Sequence, residues 1–175
     1  MTWSDLVALA EAQSISVHTG GEMADILGNV APLSADPSAR MILVSDQLCA
    51  IVEAQHRLNI RTIGAFLHEM GHIVDLTERG ITTEALLPLY QKVHAAQRVT
   101  PEEQALIMTA ERNAWTYAQR QATEMGYRIP RWFIALCMGT YLGQFVMAGN
   151  RPSSVRSACR RILTAAKDAW SLSQV

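Results

Sequence analysis

The sequence predicts a mainly helical α+β domain with a small sheet, and three observations carry that expectation. Apolar residues recur at helical spacing through most of the chain, between recognisable start and stop signals. One short apolar run, Arg40–Ser45 (RMILVS), has the length and composition of a strand. Hydrophobic residues make up 49% of the 175, enough for one sizeable core in a chain of single-domain length.

Taken in order, Ser4–Gln13 reads as a short helix, Ile15–His18 as a short strand and Gly20-Gly21 as a turn. Pro32–Ser38 (PLSADPS) is rich in turn formers and leads into the Arg40–Ser45 strand. From Asp46 the pattern turns helical, with Leu48, Ile51 and Val52 at helical spacing and a break near Asn59. A second helix is expected over Arg61–Thr77, where Ile63, Phe66, Leu67, Met70 and Val74 recur about every 3.6 residues, with Gly80 as its stop. Thr83–Ala96 reads as a further helix, interrupted or started at Pro88. Thr100, Pro101 and Glu103 then supply an N-cap, a first-turn proline and a capping-box acid, opening a helix to about Glu124 that Gly126 ends. Pro130 separates this helix from the apolar run Trp132–Ala148, and Pro152 precedes a last amphipathic helix, Ser153–Trp170. One domain, 1–175, is expected.

Composition narrows the function classes. Fifteen basic residues oppose sixteen acidic ones, a net charge of -1, so no broad basic surface is available for nucleic acid. The N-terminal MTWSDLVALAEAQ carries Asp5 and no Lys or Arg, so it lacks the positive region of a secretory signal. Cys49, Cys137 and Cys159 are odd in number and far apart, which suits reduced thiols and a cytoplasmic location. Trp132–Ala148 has Gly139 and Gly143 at GxxxG spacing, but it contains Thr140 and Gln144 and falls short of the roughly 20 apolar residues of a membrane span. A buried packing helix is expected there, and no membrane role.

The chemistry concentrates in His68-Glu69-Met70-Gly71-His72, inside the second helix. Histidines at i and i+4 lie one turn apart on one face, so both imidazoles can reach a single zinc ion. Glu69 lies about 100° round the helix, within reach of a water that the metal makes more acidic, and can take its proton without being a ligand. The flanking Ala65, Phe66, Leu67, Met70, Ile73 and Val74 are apolar on nearly every side, so the helix is expected to be buried, where three unpartnered polar side chains would be costly.

A catalytic zinc normally has a third protein ligand. Among the downstream acids Glu78, Glu84, Glu102, Glu103, Glu111 and Glu124, the capped helix discriminates: Ile107, Glu111, Ala114, Trp115 and Ala118 make one stripe, while Thr109, Arg112, Thr116, Gln119 and Thr123 populate the other side. Glu111 is thus an acid in an apolar stripe, and a buried carboxylate needs a cation. Ala114, one turn on, is small enough to let two helices approach closely. Glu102 and Glu103 have capping duties, and Glu124 sits near the helix end. A ligand at Glu78 would need a glycine three residues after His72, where the chain has Asp75. His94 reads as a surface residue or a support for the ligands.

With these residues in place, the chain resembles the ImmA/IrrE family of gluzincin-like metallopeptidases. The helix TIGAFLHEMGHIVD is similar to that family's active-site helix, and Glu111-Arg-Asn-Ala114-Trp-Thr-Tyr117-Ala118 to its ExxAxxFA segment, with Tyr117 in the aromatic place. A more distant likeness is to lethal-factor-type peptidases, which combine HExGHxxD with a downstream ExxA. The resemblance covers Arg40 to Ala118, leaving 130–175 as a helical C-terminal extension.

It implies a zincin-like domain with a small sheet packed on the active-site helix, one Zn2+ held by His68, His72 and Glu111, and Glu69 as general base. It also implies that the strand before that helix, Met41–Ser45, offers an edge to an extended peptide. The substrate so implied is an intracellular regulatory protein, such as a transcriptional repressor. Candidates for the donor that stabilises the developing oxyanion are Tyr90, His94, Tyr117, Tyr141 or a nearby arginine, and Tyr117 is also expected to pack in the core. Two other readings remain: a zinc-containing binding module that does not cut, acting as adaptor or anti-repressor, and a metal-dependent hydrolase of non-peptide substrates.

Overall fold

A computed structural model of the chain describes residues 1–20, 32–94 (backbone only at 93 and 94), 97 and 99–139. Its elements are α1 (Trp3–Glu11), β1 (Ser16–Thr19), β2 (Leu33–Asp36), β3 (Met41–Val44), α2 (Asp46–Glu53), α3 (Ile60–Glu78), α4 (Thr83–His94) and α5 (Pro101–Glu124). A further helix, α6, covers residues 131–139. The described chain is α+β and mostly helical, with one three-stranded sheet. Gly21, Cys159, the apolar run beyond residue 139 and the helix expected at Ser153–Trp170 lie outside the described residues. Among the described residues no helix is long and apolar enough to cross a membrane.

The sheet has the order β1-β3-β2. β1 runs parallel to β3, from Ser16 opposite Met41 to Thr19 opposite Val44, and β2 runs antiparallel, from Leu33 opposite Val44 to Asp36 opposite Met41. β3 is central because MILV is apolar on both faces: Ile42 and Val44 are buried, and Met41 and Leu43 are half-buried. This corrects the expected edge: both sides of β3 are paired, so among the described residues the sheet's edges are β1 and β2.

β2 is a strand that the reading of Pro32–Ser38 as rich in turn formers did not include. Leu33–Asp36 has one strong apolar residue between two prolines, which a central strand would not tolerate. An edge strand pairs on one side only and accepts such composition. The turn signal is present just beyond it, where Asp36 Oδ1 accepts from the amides of Ser38 (3.0 Å) and Ala39 (3.2 Å). The same oxygen accepts from Thr83 Oγ1 at 3.0 Å, and Ser38 Oγ accepts from the Thr83 amide at 2.9 Å, which ties the hairpin to the start of α4. α4 therefore starts at Thr83 and runs through Pro88.

α3 is the central helix. Asn59 Oδ1 caps its start by accepting from the amides of Arg61 and Thr62, both at 3.0 Å. At its end Gly80 takes φ +65°, and Ile81 donates to Leu76 O (2.9 Å) while Gly80 donates to Thr77 O (3.1 Å). That is the Schellman arrangement, which requires the left-handed conformation glycine adopts without penalty. α5 opens with the full capping box at Thr100 and Glu103. In α2 the buried stripe is Cys49 and Val52, while Ile51 faces out at 50% exposure: an eight-residue helix covers only a narrow strip of core.

α3 lies between the sheet and α5, burying Ile63, Phe66, Leu67, Met70 and Ile73 completely. α1 reaches it through Trp3, whose ring meets Phe66 edge-on at 5.3 Å. Against α5 the approach is closest at Gly71, where a Cβ would stand 2.6 Å from Ala114 O and 2.7 Å from Ala114 Cα. Any side chain there would push backbone against backbone. Gly71→Ala is accordingly expected to cost about 1–3 kcal/mol or more, as overpacking of a fixed contact does. A urea denaturation midpoint equal to that of the wild type would contradict this close contact.

Candidate metal centre

The α3–α5 contact brings together the residues that the spacing singles out. His68 and His72 project from the same face of α3, and Glu111 faces them from the apolar stripe of α5. Ile107, Ala114, Trp115 and Ala118 of that stripe are all buried, as is Glu111 itself at 4% exposure. His68 Nε2 lies 3.4 Å from Glu111 Oε2, His72 Nε2 lies 3.3 Å from Glu111 Oε1, and the two ring nitrogens are 3.0 Å apart. One ligand atom from each residue falls within 4.8 Å of the others, so the three could hold a metal ion.

Two tests bear on whether a metal suits this group. Donors at zinc–ligand lengths in a tetrahedron stand about 3.3 Å apart; the two ring nitrogens are 3.0 Å apart, and each lies 3.3 or 3.4 Å from a different oxygen of Glu111. The charge balance agrees: Glu111 is a buried carboxylate whose ion-pair partners among the described residues are the two histidines alone. Burial pushes its pKa up, but the charge of His72 and hydrogen bonds from both rings outweigh this and hold the carboxyl far below the usual range. His72 behaves reciprocally. Burial disfavours its charged ring, yet Glu111 above all raises it to about 9. The site is arranged for positive charge, and imidazole, imidazole and carboxylate form a donor set suited to zinc.

Glu69 sits beside this group, half-buried. Burial raises its carboxyl above the ordinary glutamate value, with the two histidines opposing, Glu111 adding to the rise and a backbone hydrogen bond from Ala35 of β2 lowering it.

The other acids are occupied elsewhere. Glu78 is exposed at the end of α3, Glu103 caps α5 and pairs with Lys92, Glu84 meets Ser38 at the start of α4, and Glu124 accepts from Gln121 at 2.8 Å. The Tyr117 hydroxyl donates to Gln13 Oε1 at 2.6 Å from within the core, and Tyr90 is a partly buried residue packed against the core. Tyr141 and the side chain of His94 lie outside the described residues. Cys49 is a buried thiol donating to Glu53 Oε1 at 3.2 Å, and Cys137 is half-buried.

Three supporting residues escaped the reading of the sequence. Asp75 accepts from Asn113 of α5 (2.6 Å) and from Arg79 (2.8 Å), cross-linking the helices one turn beyond His72. Asp75 was legible as the last residue of the HExGHxxD likeness and as a missing glycine, but not as a cross-link, and Asn113 carried no signal at all. Trp115 lies flat against the His68 ring, with centroids 4.2 Å apart and planes inclined by 25°. Its place one turn after Glu111 was the available clue. Comparison with protein-family models, curated proteins and solved structures finds no match for the chain.

The ion pair sets a pH window for the metal-free protein. The raised His72 contributes stability that is complete below the ordinary histidine value of 6.5 and is lost as pH rises through about 9. The depressed Glu111 contributes stability above its ordinary 4.5, lost only as pH falls through its lowered value. With chelator present, the stability gap between wild type and Glu111→Gln should therefore be widest near about pH 5.5 and narrow steadily toward pH 9.5 or so. A gap that widens with pH in urea titrations would refute the pairing.

Proposed function

We propose that the protein is a zinc-dependent metalloendopeptidase of the HExxH type, with His68, His72 and Glu111 as ligands and Glu69 as general base. The observation that carries this reading is the convergence of the three donors, from helices far apart in sequence, beside a glutamate whose carboxyl is raised above its usual range. A zinc ion held there supplies a Lewis acid that polarises a carbonyl and makes water a stronger nucleophile. Glu69 accepts the proton of the attacking water and returns it to the leaving amine, a task that suits a pKa moved toward neutrality. His68, His72 and Glu111 hold and orient; Glu111 also offsets charge.

The backbone of Ala35 that lowers the Glu69 pKa belongs to β2, so this edge strand lies beside the proposed general base. An extended peptide pairing with the outer side of β2 would run past Glu69, so β2, and not β3, is the strand assigned to substrate. The zincin-like class, the kinship with ImmA/IrrE peptidases, the cytoplasmic setting and a regulatory protein such as a repressor as substrate belong to the same proposal. They are supported by the HEMGH and ERNAWTYA segments.

Purified protein should contain about one zinc per chain. Glu69→Ala should keep the metal and the fold while losing about a hundred- to ten-thousand-fold in cleavage of an unstructured protein or a candidate repressor, and His68→Ala should lose the metal. Folded wild type without divalent metal at neutral pH would overturn the proposal. So would a Glu69→Gln variant with undiminished activity, which is the behaviour of a binding module that does not cut.

A further inference from the structure

A metal-ligating histidine ordinarily donates its second ring nitrogen to a carboxylate, a carbonyl or water, and that bond fixes the ring's orientation. His68 does not do this within the described structure. Its Nδ1 is buried and has no hydrogen-bond partner among the described residues, although the residue is only 9% exposed. What the ring has instead is a face. Trp115 stacks on it at 4.2 Å, and the Trp115 indole nitrogen is likewise buried and unpartnered. Trp115 is itself braced by Phe133 of α6, which meets it edge-on at 5.9 Å. His72 meets His68 edge-on, with ring centroids 4.4 Å apart.

We infer that Trp115 is a positioning residue for the metal site, holding the His68 imidazole by ring stacking where a hydrogen bond would otherwise hold it. The inference rests on the metal reading above and deepens it. Glu111 and Trp115 are four residues apart, so one helix face presents a ligand and, one turn on, the surface that orients the opposing ligand. The stacking has a further effect on binding. An indole face carries negative potential, so it favours an imidazole that shares a cation's charge over a neutral one. The contact therefore strengthens when the metal binds.

The test compares Trp115→Phe, which keeps a ring face, with Trp115→Leu and Trp115→Met, which do not; Met fills irregular space and guards against collapse of the core. Zinc affinity is measured by competition with a chromogenic chelator, and ligand geometry by the visible absorption of the cobalt(II)-substituted protein. Leu and Met variants that retain their far-ultraviolet circular dichroism should bind zinc about tenfold more weakly and show a shifted cobalt spectrum. Trp115→Phe should stay within about threefold of wild type with its cobalt spectrum restored. In the wild type, the Trp115 emission, taken as the difference from Trp115→Phe, should change on zinc addition.

Folded Leu or Met variants with wild-type affinity and spectrum would overturn the inference. So would equal losses in all three variants, which would mark a volume effect, or a Trp115 emission indifferent to zinc even if the ring-less variants fail to fold. Wild type that binds no zinc would overturn the metal reading and this inference with it; wild type that binds zinc, with unaffected variants, would overturn this inference alone.

Discussion

The contact on which the rest of the molecule depends is the backbone approach of α3 to α5 at Gly71 and Ala114. No side chain fits between them, because a Cβ on Gly71 would stand 2.6 Å from a carbonyl oxygen. At that separation the side chains that flank the contact on each helix cannot avoid each other. His68 and His72 flank Gly71 in sequence as Glu111 and Trp115 flank Ala114, so these side chains meet because the helices touch. The glycine in HEMGH brings no polar group of its own, yet it sets the distance between the polar side chains around it.

That closeness creates an electrostatic demand. Glu111 is a charge in a wall of Ile107, Ala114, Trp115 and Ala118, and burying it without compensation would cost several kcal/mol. His72 answers the demand in part by holding a proton, its pKa raised by the facing Glu111 carboxylate. A divalent ion would answer it more fully. Asp75, tied to Asn113 and Arg79, keeps the next turn of α3 in register with α5 without adding a ligand.

Much of this arrangement was legible in the residues, because it rests on signals that are local or periodic. Caps and stops depend on a few adjacent side chains: the Thr100–Glu103 box and the turn at Gly80 appear where the letters place them. Glu111 was legible for a different reason, as a polar interruption of a periodic stripe. What escaped depends on neighbours remote in the chain. β2 is a strand because β3 lies beside it, and the letters of Leu33–Asp36 describe a turn equally well. The same holds for Asn113 and Trp115, whose roles exist only once Asp75 and His68 are opposite them. Periodicity identifies the face that is buried; it does not identify the partner.

The distance in sequence between His72 and Glu111 has a consequence of its own. An ion joining them would close a loop of roughly forty residues, one that contains all of α4. In chain-entropy terms a cross-link of that span removes freedom from the unfolded chain worth about 4 kcal/mol when the link is covalent. Cys49 and Cys137 are free thiols, so no disulfide joins them. A bound ion would then be a topological staple as well as a reagent, and the unfolding barrier of the loaded protein would carry the signature of opening a ring.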